Sequence, residues 1–207
     1  MNGRIAKGFD LLAPIYDGLA QLFIGRHIVS SQLHFLSHFR ECKRLLILGG
    51  GSGWILKHIQ QECPALEIDY IDVSPRMLQL ARKNTDPGSR VNFILGTEDD
   101  IPDQLYDGAI TSFYLDMFDD RSLDSVIDKI KKAMARSGKW VVTDFVNDRK
   151  GHEVMLWLMY RFFGIVTRIR ATHLPEWKNR MKHAGCKLIE YEVFANGFIR
   201  AELYTSR

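Results

Sequence analysis

Along the first forty positions, apolar residues recur at helical spacing. Ile5, Phe9, Leu12, Tyr16, Leu19 and Phe23 mark one such face, interrupted at Pro14, and Ile28, Leu33, Leu36 and Phe39 mark a second. From Arg44 the period changes. Leu45, Leu46, Ile47 and Leu48 form a continuous apolar run that stops at glycines, the pattern of a central parallel strand covered on both faces. Helix and strand patterns then alternate: helix over 54–61, strand 67–72, helix 75–84, strands 91–95 and 108–111, helix 122–134 and strand 139–145. The last of these helices places Leu123, Val126, Ile127, Ile130 and Met134 on one face. Ser74 and Pro75 supply an N-cap and a first-turn proline for the helix over 75–84, and Ser122 is the cap expected for the later one. Strand-helix alternation of this kind predicts an α/β fold, a doubly wound and mostly parallel sheet. The end breaks the rhythm. Two β-rich runs, 188–194 and 198–204, are joined through Ala195-Asn196-Gly197, and Asn-Gly is a strong hairpin signal, so an antiparallel hairpin is expected to close the sheet.

Composition narrows the picture without redirecting it. The 207 residues suffice for one domain with a sizeable core, and 46% apolar with 26% charged residues is the balance of a globular chain. We read a single domain over 1–207: a helical preface (1–40), a central α/β portion (44–146), an inserted helical segment (147–186) and the hairpin (187–207). The net charge of +3, with no long run of either sign, gives no indication of nucleic acid. Cys42, Cys63 and Cys186 are odd in number and in no metal-ligand spacing, which predicts neither a disulfide framework nor a metal site and fits a reducing cytoplasm. The opening stretch carries Asp10 and Asp17 and lacks a small-residue cleavage site, unlike a signal peptide. The longest apolar block, 154–166, is broken by Arg161 and falls short of the ~20 residues of a spanning helix.

The chemistry concentrates at strand ends. The first strand runs into Gly49-Gly50-Gly51-Ser52-Gly53, where glycine lets the backbone turn sharply and approach a ligand at the carboxyl edge of the sheet. A dinucleotide fingerprint counted from Gly49 would place Trp54 at its last, small-residue position, so the spacing is G-x-G-x-G instead. Asp72 ends the second strand, where a carboxylate can accept hydrogen bonds from two ribose hydroxyls while Val73 packs on a base. Thr97 and Glu98 follow the third strand and either meet the edge of that base or form an ordinary polar loop.

In order and spacing, these segments resemble the motifs of class I S-adenosylmethionine-dependent methyltransferases. The segments are 45–53, Ile71-Asp72-Val73-Ser74-Pro75-Arg76-Met77-Leu78, Gly96-Thr97-Glu98-Asp99-Asp100-Ile101-Pro102 and Tyr106-Asp107-Gly108-Ala109-Ile110. The match covers roughly residues 9 to 146. Its opening, Phe9-Asp10-Leu11-Leu12-Ala13-Pro14-Ile15-Tyr16-Asp17, resembles the lid segment of the ubiquinone/menaquinone C-methyltransferase-like branch. The resemblance implies a Rossmann-like seven-stranded sheet with its last strand antiparallel and an N-terminal helical lid. It implies S-adenosylmethionine as cofactor, S-adenosylhomocysteine as product and no metal. The methionine end would lie over Gly49, Gly51 and Gly53, with Tyr16 and Ser112 bordering it, the ribose on Asp72, and adenine against Val73 and Met77. Tyr16 has a second reading, as a core tyrosine of an amphipathic helix. Two positions depart from the family: Ile47 stands where an acidic residue is common, and Thr97 where an aspartate is, which predicts one polar contact fewer at each end of the cofactor.

Methyl transfer is an in-line displacement, so the protein aligns the acceptor, excludes water and, for a hydroxyl or amine, removes a proton. Asp116, just beyond the fourth strand, is the candidate base or orienting group, its alternative being a loop or capping aspartate; Tyr16 is the other catalytic candidate. His152 and His173 flank the inserted segment and can titrate near neutrality. Within it Trp157, Tyr160, Phe162 and Phe163, with Arg161, Arg168 and Arg170, suggest an apolar acceptor pocket with a cationic rim, or else core packing, a dimer face or shallow membrane contact. The reading is a methyltransferase acting on a small apolar or aromatic acceptor at carbon or oxygen, as monomer or homodimer. The alternative is a non-catalytic S-adenosylmethionine-binding or protein-interaction module.

Overall fold

Leu45, Leu46, Ile47 and Leu48 are all 2% exposed or less, because β1 (Arg44–Leu48) has a parallel neighbour on each side and packed side chains over both faces. A computed structural model of the chain describes residues 25–147 and 175–206. On one side β1 pairs with β2 (Glu67–Asp72), which pairs with β3 (Val91–Leu95). On the other it pairs with β4 (Tyr106–Ser112), which pairs with β5 (Met134–Phe145). β7 (Ile199–Thr205) runs antiparallel to β5, and β6 (Lys187–Phe194) runs antiparallel to β7 at the edge. The order β3-β2-β1-β4-β5-β7-β6 is the predicted seven-stranded, mostly parallel, Rossmann-like sheet with its antiparallel hairpin.

The helices are α1 (Gly25–Leu33), α2 (Ile55–Glu62), α3 (Pro75–Lys83), α4 (Asp120–Ala133) and α5 (Trp177–His183). Strand side chains alternate between faces, and two core layers result. Leu46, Leu48, Trp140 and Val142 meet Leu123, Val126, Ile127 and Ile130 of α4 and Trp177 and Met181 of α5. Leu45, Ile47, Ile110 and Val141 meet Ile55, Leu56 and Ile59 of α2, Leu78 and Ala81 of α3, and Phe35 and Phe39. The switch in strand order falls between β1 and β4, which opens a crevice at the carboxyl ends of β1, β2 and β4.

Two local expectations change. The cap of α4 is Asp119, not Ser122: the Ser122 N–H donates to Asp119 Oδ1 at 2.9 Å, and Asp119 has the extended backbone a cap requires (φ −77, ψ 164). β5 begins at Met134 rather than 139, because Tyr106 pairs with Met134 before the register shifts and Gly108 pairs with Lys139. Among the described residues no helix is long and apolar enough to cross a membrane, and no group of three or more His, Cys, Asp or Glu side chains is placed to hold a metal. The preface before residue 25, with Tyr16, and most of the inserted segment, with His152, Trp157, Tyr160, Arg161, Phe162, Phe163, Arg168, Arg170 and His173, lie outside the described residues.

Candidate functional site

The glycine run is a strand-to-helix turn in which alternate residues take left-handed backbone: φ is +64 at Gly49, +63 at Gly51 and +75 at Gly53. The three have different surroundings. A Cβ on Gly53 would stand 2.6 Å from Ala81 Cα, so this glycine permits close approach of α3. A Cβ on Gly49 would stand 2.5 Å from the Tyr114 ring. A Cβ on Gly51 would meet no atom within 4 Å, and the residue lines a cavity. The turn is tied down from β2: Gly49 N–H donates to Ile71 O at 2.9 Å and Tyr70 OH donates to Gly51 O at 3.0 Å.

Asp72 is buried at the end of β2. Its Oδ2 accepts from Gly51 N–H and its Oδ1 from Ser74 N–H, both at 2.9 Å, so one carboxylate joins the glycine turn to the start of α3. Ser74 Oγ accepts from Met77 N–H at 3.1 Å, which caps α3 as expected from the sequence. Gly49, Gly51, Asp72, Val73 and Met77 are thereby brought round one cavity of about 530 Å³, together with Leu48, Ile71, Gly96, Phe113, Tyr114 and Met117.

Thr97 and Glu98 follow Gly96 of the cavity wall and do not line the cavity themselves. Thr97 begins a short 3-10 turn (Glu98–Asp100): its Oγ1 accepts from Asp99 N–H at 3.2 Å while its own N–H donates to Asp100 Oδ2 at 2.9 Å. Its hydroxyl is engaged by the turn. Glu98 Oε2 accepts from the Tyr114 hydroxyl at 2.8 Å. Burial, reinforced by the Glu98 carboxylate, holds the Tyr114 phenol well above its usual pKa, so it stays a neutral donor. Tyr114 is a site residue that sequence reading missed. Its neighbour Phe113 has φ +52, a left-handed conformation rare for an aromatic residue, and lines the same cavity.

A second cavity, of about 410 Å³, lies across the glycine turn. It is lined by Gln32, Ile47, Leu48, Gly49 to Ser52, Trp54, Ile55, Ile110 and Ser112. The two cavities share Leu48, Gly49 and Gly51, so a ligand long enough to occupy both crosses the glycine turn.

Asp116 lines neither cavity. It sits in the 3-10 turn Leu115–Met117, whose Met117 lines the larger one, and is itself buried with Oδ1 lacking a hydrogen-bond partner. Beside it is Asp144, 0% exposed, which sequence reading did not single out. Asp144 Oδ2 accepts from Leu115 N–H at 3.1 Å and Asp116 N–H at 3.2 Å, and its Oδ1 accepts from Phe145 N–H at 2.9 Å. Desolvation pushes Asp116 up to about 7, and Asp144 is raised too, by burial first and then by Asp116. Burial and the closeness of the two carboxyls hold both above the ordinary range, so they titrate as a pair.

With this geometry the chain resembles known proteins. Among curated relatives, the demethylmenaquinone methyltransferase of Thermus thermophilus is 27% identical over 175 residues, covering 82% of this chain and 70% of the relative. The malonyl-[acyl-carrier protein] O-methyltransferase of Halalkalibacterium halodurans is 25% identical over 146 residues, and the chain spans only 50% of that relative's length. In fold, the chain resembles the N-methyltransferase NodS of Bradyrhizobium japonicum WM9 in complex with S-adenosyl-L-homocysteine, with a TM-score of 0.75 at 16% identity over 98% of both chains. A family model described as a methyltransferase domain matches residues 22–191, most of the chain, and the chain therefore belongs to that methyltransferase-domain family.

Proposed function

We propose that this chain is an enzyme that transfers a methyl group from S-adenosylmethionine to a small acceptor of apolar or aromatic character, at carbon or oxygen. The observation that carries the reading is the larger cavity. There an unobstructed left-handed glycine, a strand-end carboxylate and two apolar side chains converge at the switch in strand order. These residues fit the cofactor. Gly51 leaves room for its methionine portion over the turn, Gly49 is assigned to the same portion where Tyr114 closes on the turn, Gly53 holds the turn against α3, and Tyr16 and Ser112 are assigned to the same end. Asp72 accepts from the ribose hydroxyls; Val73 and Met77 flank the adenine, with Thr97 and Glu98 beyond its edge. When bound, the cofactor supplies an electrophilic sulfonium methyl.

The chain's own part is alignment and exclusion of water. Phe113, Tyr114 and Met117 wall the larger cavity on the side of the β4 loop, and their apolar surface supports an apolar or aromatic acceptor. For a hydroxyl acceptor a proton must leave, and Asp116, raised to about 7, is assigned to hold it; since it lines neither cavity, the proton would have to pass through the turn that carries Met117. Tyr16 is the second catalytic assignment, from the lid. A methyl acceptor of this kind and a monomeric or homodimeric chain in the cytoplasm complete the reading.

Calorimetric titration of the purified, ligand-stripped chain with S-adenosylmethionine and S-adenosylhomocysteine, with NAD as control, tests it. Saturable binding of the first two alone is the expected result. Binding of NAD alone, or of none of the three, overturns the cofactor assignment. Cofactor binding with no turnover across an acceptor screen would favour a non-catalytic binding module.

A further inference from the structure

Gly49 and Gly51 have the same left-handed backbone, but the space beside them differs. At Gly51 a Cβ would meet nothing within 4 Å, whereas at Gly49 it would stand 2.5 Å from Cδ2 of Tyr114 and 3.3 Å from its Cγ and Cε2. The room that a glycine leaves at position 49 is taken by an aromatic ring. That ring is 4% exposed and is held from two sides: its hydroxyl donates to Glu98 Oε2 at 2.8 Å, and its edge meets the Phe118 ring at 5.1 Å between centroids. The hydrogen bond joins the loop after β3 to the loop after β4. In the sheet, β2 and β1 lie between those two strands, so the bond bridges the strand ends at which Asp72 and Gly49 sit.

Both partners are placed to part. Lys129 Nζ of α4 stands 3.9 Å from Glu98 Oε1 and also bonds Asp99, so the Glu98 carboxylate keeps a cation beside it when the phenol leaves. The backbone on either side of Tyr114 is fixed: Phe113 N–H donates to Thr143 O at 2.7 Å, and Leu115 N–H donates to Asp144 Oδ2 at 3.1 Å. The ring therefore moves by rotation about its own side-chain bonds, between rotamers, while the loop stays where it is.

We propose that the Tyr114–Glu98 hydrogen bond is a latch: while it is made the Tyr114 ring fills the space over Gly49, and the S-adenosyl ligand reaches that glycine only once the bond breaks and the ring swings away. This rests on the cofactor reading above, which assigns the methionine portion to Gly49. A site that must first open binds with an affinity reduced by the fraction of molecules that are open. The latch thus slows association and leaves dissociation from the open form unchanged.

The test titrates S-adenosylhomocysteine calorimetrically into the unaltered chain, Tyr114→Phe, Glu98→Gln and the double variant, and measures association and dissociation rates by surface plasmon resonance. Tyr114→Phe keeps the ring and removes the hydroxyl, while Glu98→Gln leaves a neutral acceptor that holds the phenol less strongly. Tyr114→Phe is expected to bind about tenfold tighter, the lower end of what a hydrogen bond to a charged group is worth, with the gain in the association rate. Glu98→Gln gains less in the same direction, and the double variant gains no more than Tyr114→Phe, because both act on one bond. Unchanged or weaker affinity in Tyr114→Phe, or a gain that lies in slower dissociation, overturns the latch; a ring that merely walls the cavity gives one of these. If Tyr114→Phe does not fold, Glu98→Gln on the other loop decides by the same signs. Binding by the unaltered chain upholds the cofactor reading whatever the variants do, binding by the variants alone supports the latch, and binding by none of the chains overturns both.

Discussion

Gly51 and Gly53 share a left-handed backbone two residues apart, and their surroundings separate their roles. An alanine at 51 meets no atom and suffers only the conformational cost of a Cβ at positive φ, about 1–2 kcal/mol. An alanine at 53 suffers the same cost and also strikes the backbone of α3, adding roughly 1–3 kcal/mol of overpacking. Urea denaturation is expected to rank Gly53→Ala as the less stable variant, while Gly51→Ala loses S-adenosylhomocysteine affinity out of proportion to its stability; the reverse order would mean that the cavity at Gly51 is not the ligand's. Asp72→Ala is expected to weaken that ligand by about 1.5–3 kcal/mol, and undiminished affinity in calorimetry would remove the ribose assignment. Asp72, Val73 and the glycines are legible in the sequence because each follows directly from where a buried strand ends, and Met77 is legible through the family resemblance. Tyr114 and Asp144 are not. Tyr114 acts through Glu98, 16 residues away, and Asp144 through the backbone of Leu115 and Asp116, 29 and 28 residues away. Asp144 reads in the chain as one more residue of an alternating strand.

At the scale of elements, the wall of the larger cavity depends on how α3 begins. Pro75 opens the helix and Ser74 Oγ takes the N–H of Met77, whose side chain lines the cavity, so cap and binding surface occupy the same turn. Ser74→Ala is expected to cost about 1 kcal/mol and to lower the melting temperature by roughly 2–4 °C. It should also weaken adenosine binding, because Met77 loses its anchor; a calorimeter and a thermal melt on the same sample check both. Where elements depart from the periodic reading, local chemistry has two solutions. Asp119 and Ser122 are both good caps, three positions apart, and the Ser122 hydroxyl ends up bonded to the Asp119 carboxylate at 2.6 Å. The early start of β5 has no signal of its own, since residues 134–138 lack alternation; they are held by Tyr106, which pairs with Met134, and by Ser206, whose N–H donates to Gly138 O.

At the scale of the whole molecule, the fold was readable because a parallel sheet buries its strands on both faces and so writes them as apolar runs between helices. The edges follow a different rule. β6 keeps Leu188, Ile189, Tyr191 and Val193 between 40% and 53% exposed, and a register shift between Leu188 and Glu190 interrupts its edge, a device that discourages pairing with other chains. Across the centre, Asp144 of β5 holds the loop after β4, and with it a wall of the larger cavity, so the Asp116–Asp144 pair links global stability to pH. In the unfolded chain both carboxyls titrate near the ordinary 3.8, whereas in the folded chain Asp116 keeps its proton up to about 7. Between those limits the folded state binds more protons than the unfolded one, and stability therefore falls as pH rises through about 4 to about 7, with Asp144, raised as well, adding to the fall. Asp116→Asn removes the share of this dependence that belongs to Asp116, because an amide stays neutral throughout, and lifts the repulsion on Asp144. Urea unfolding of both chains at fixed ionic strength should show the variant gaining on the unaltered protein with each step of rising pH in that window. Parallel curves would mean that Asp116 is already ionised in the fold, with a counter-ion supplied from elsewhere, and its part in proton transfer would have to be given up.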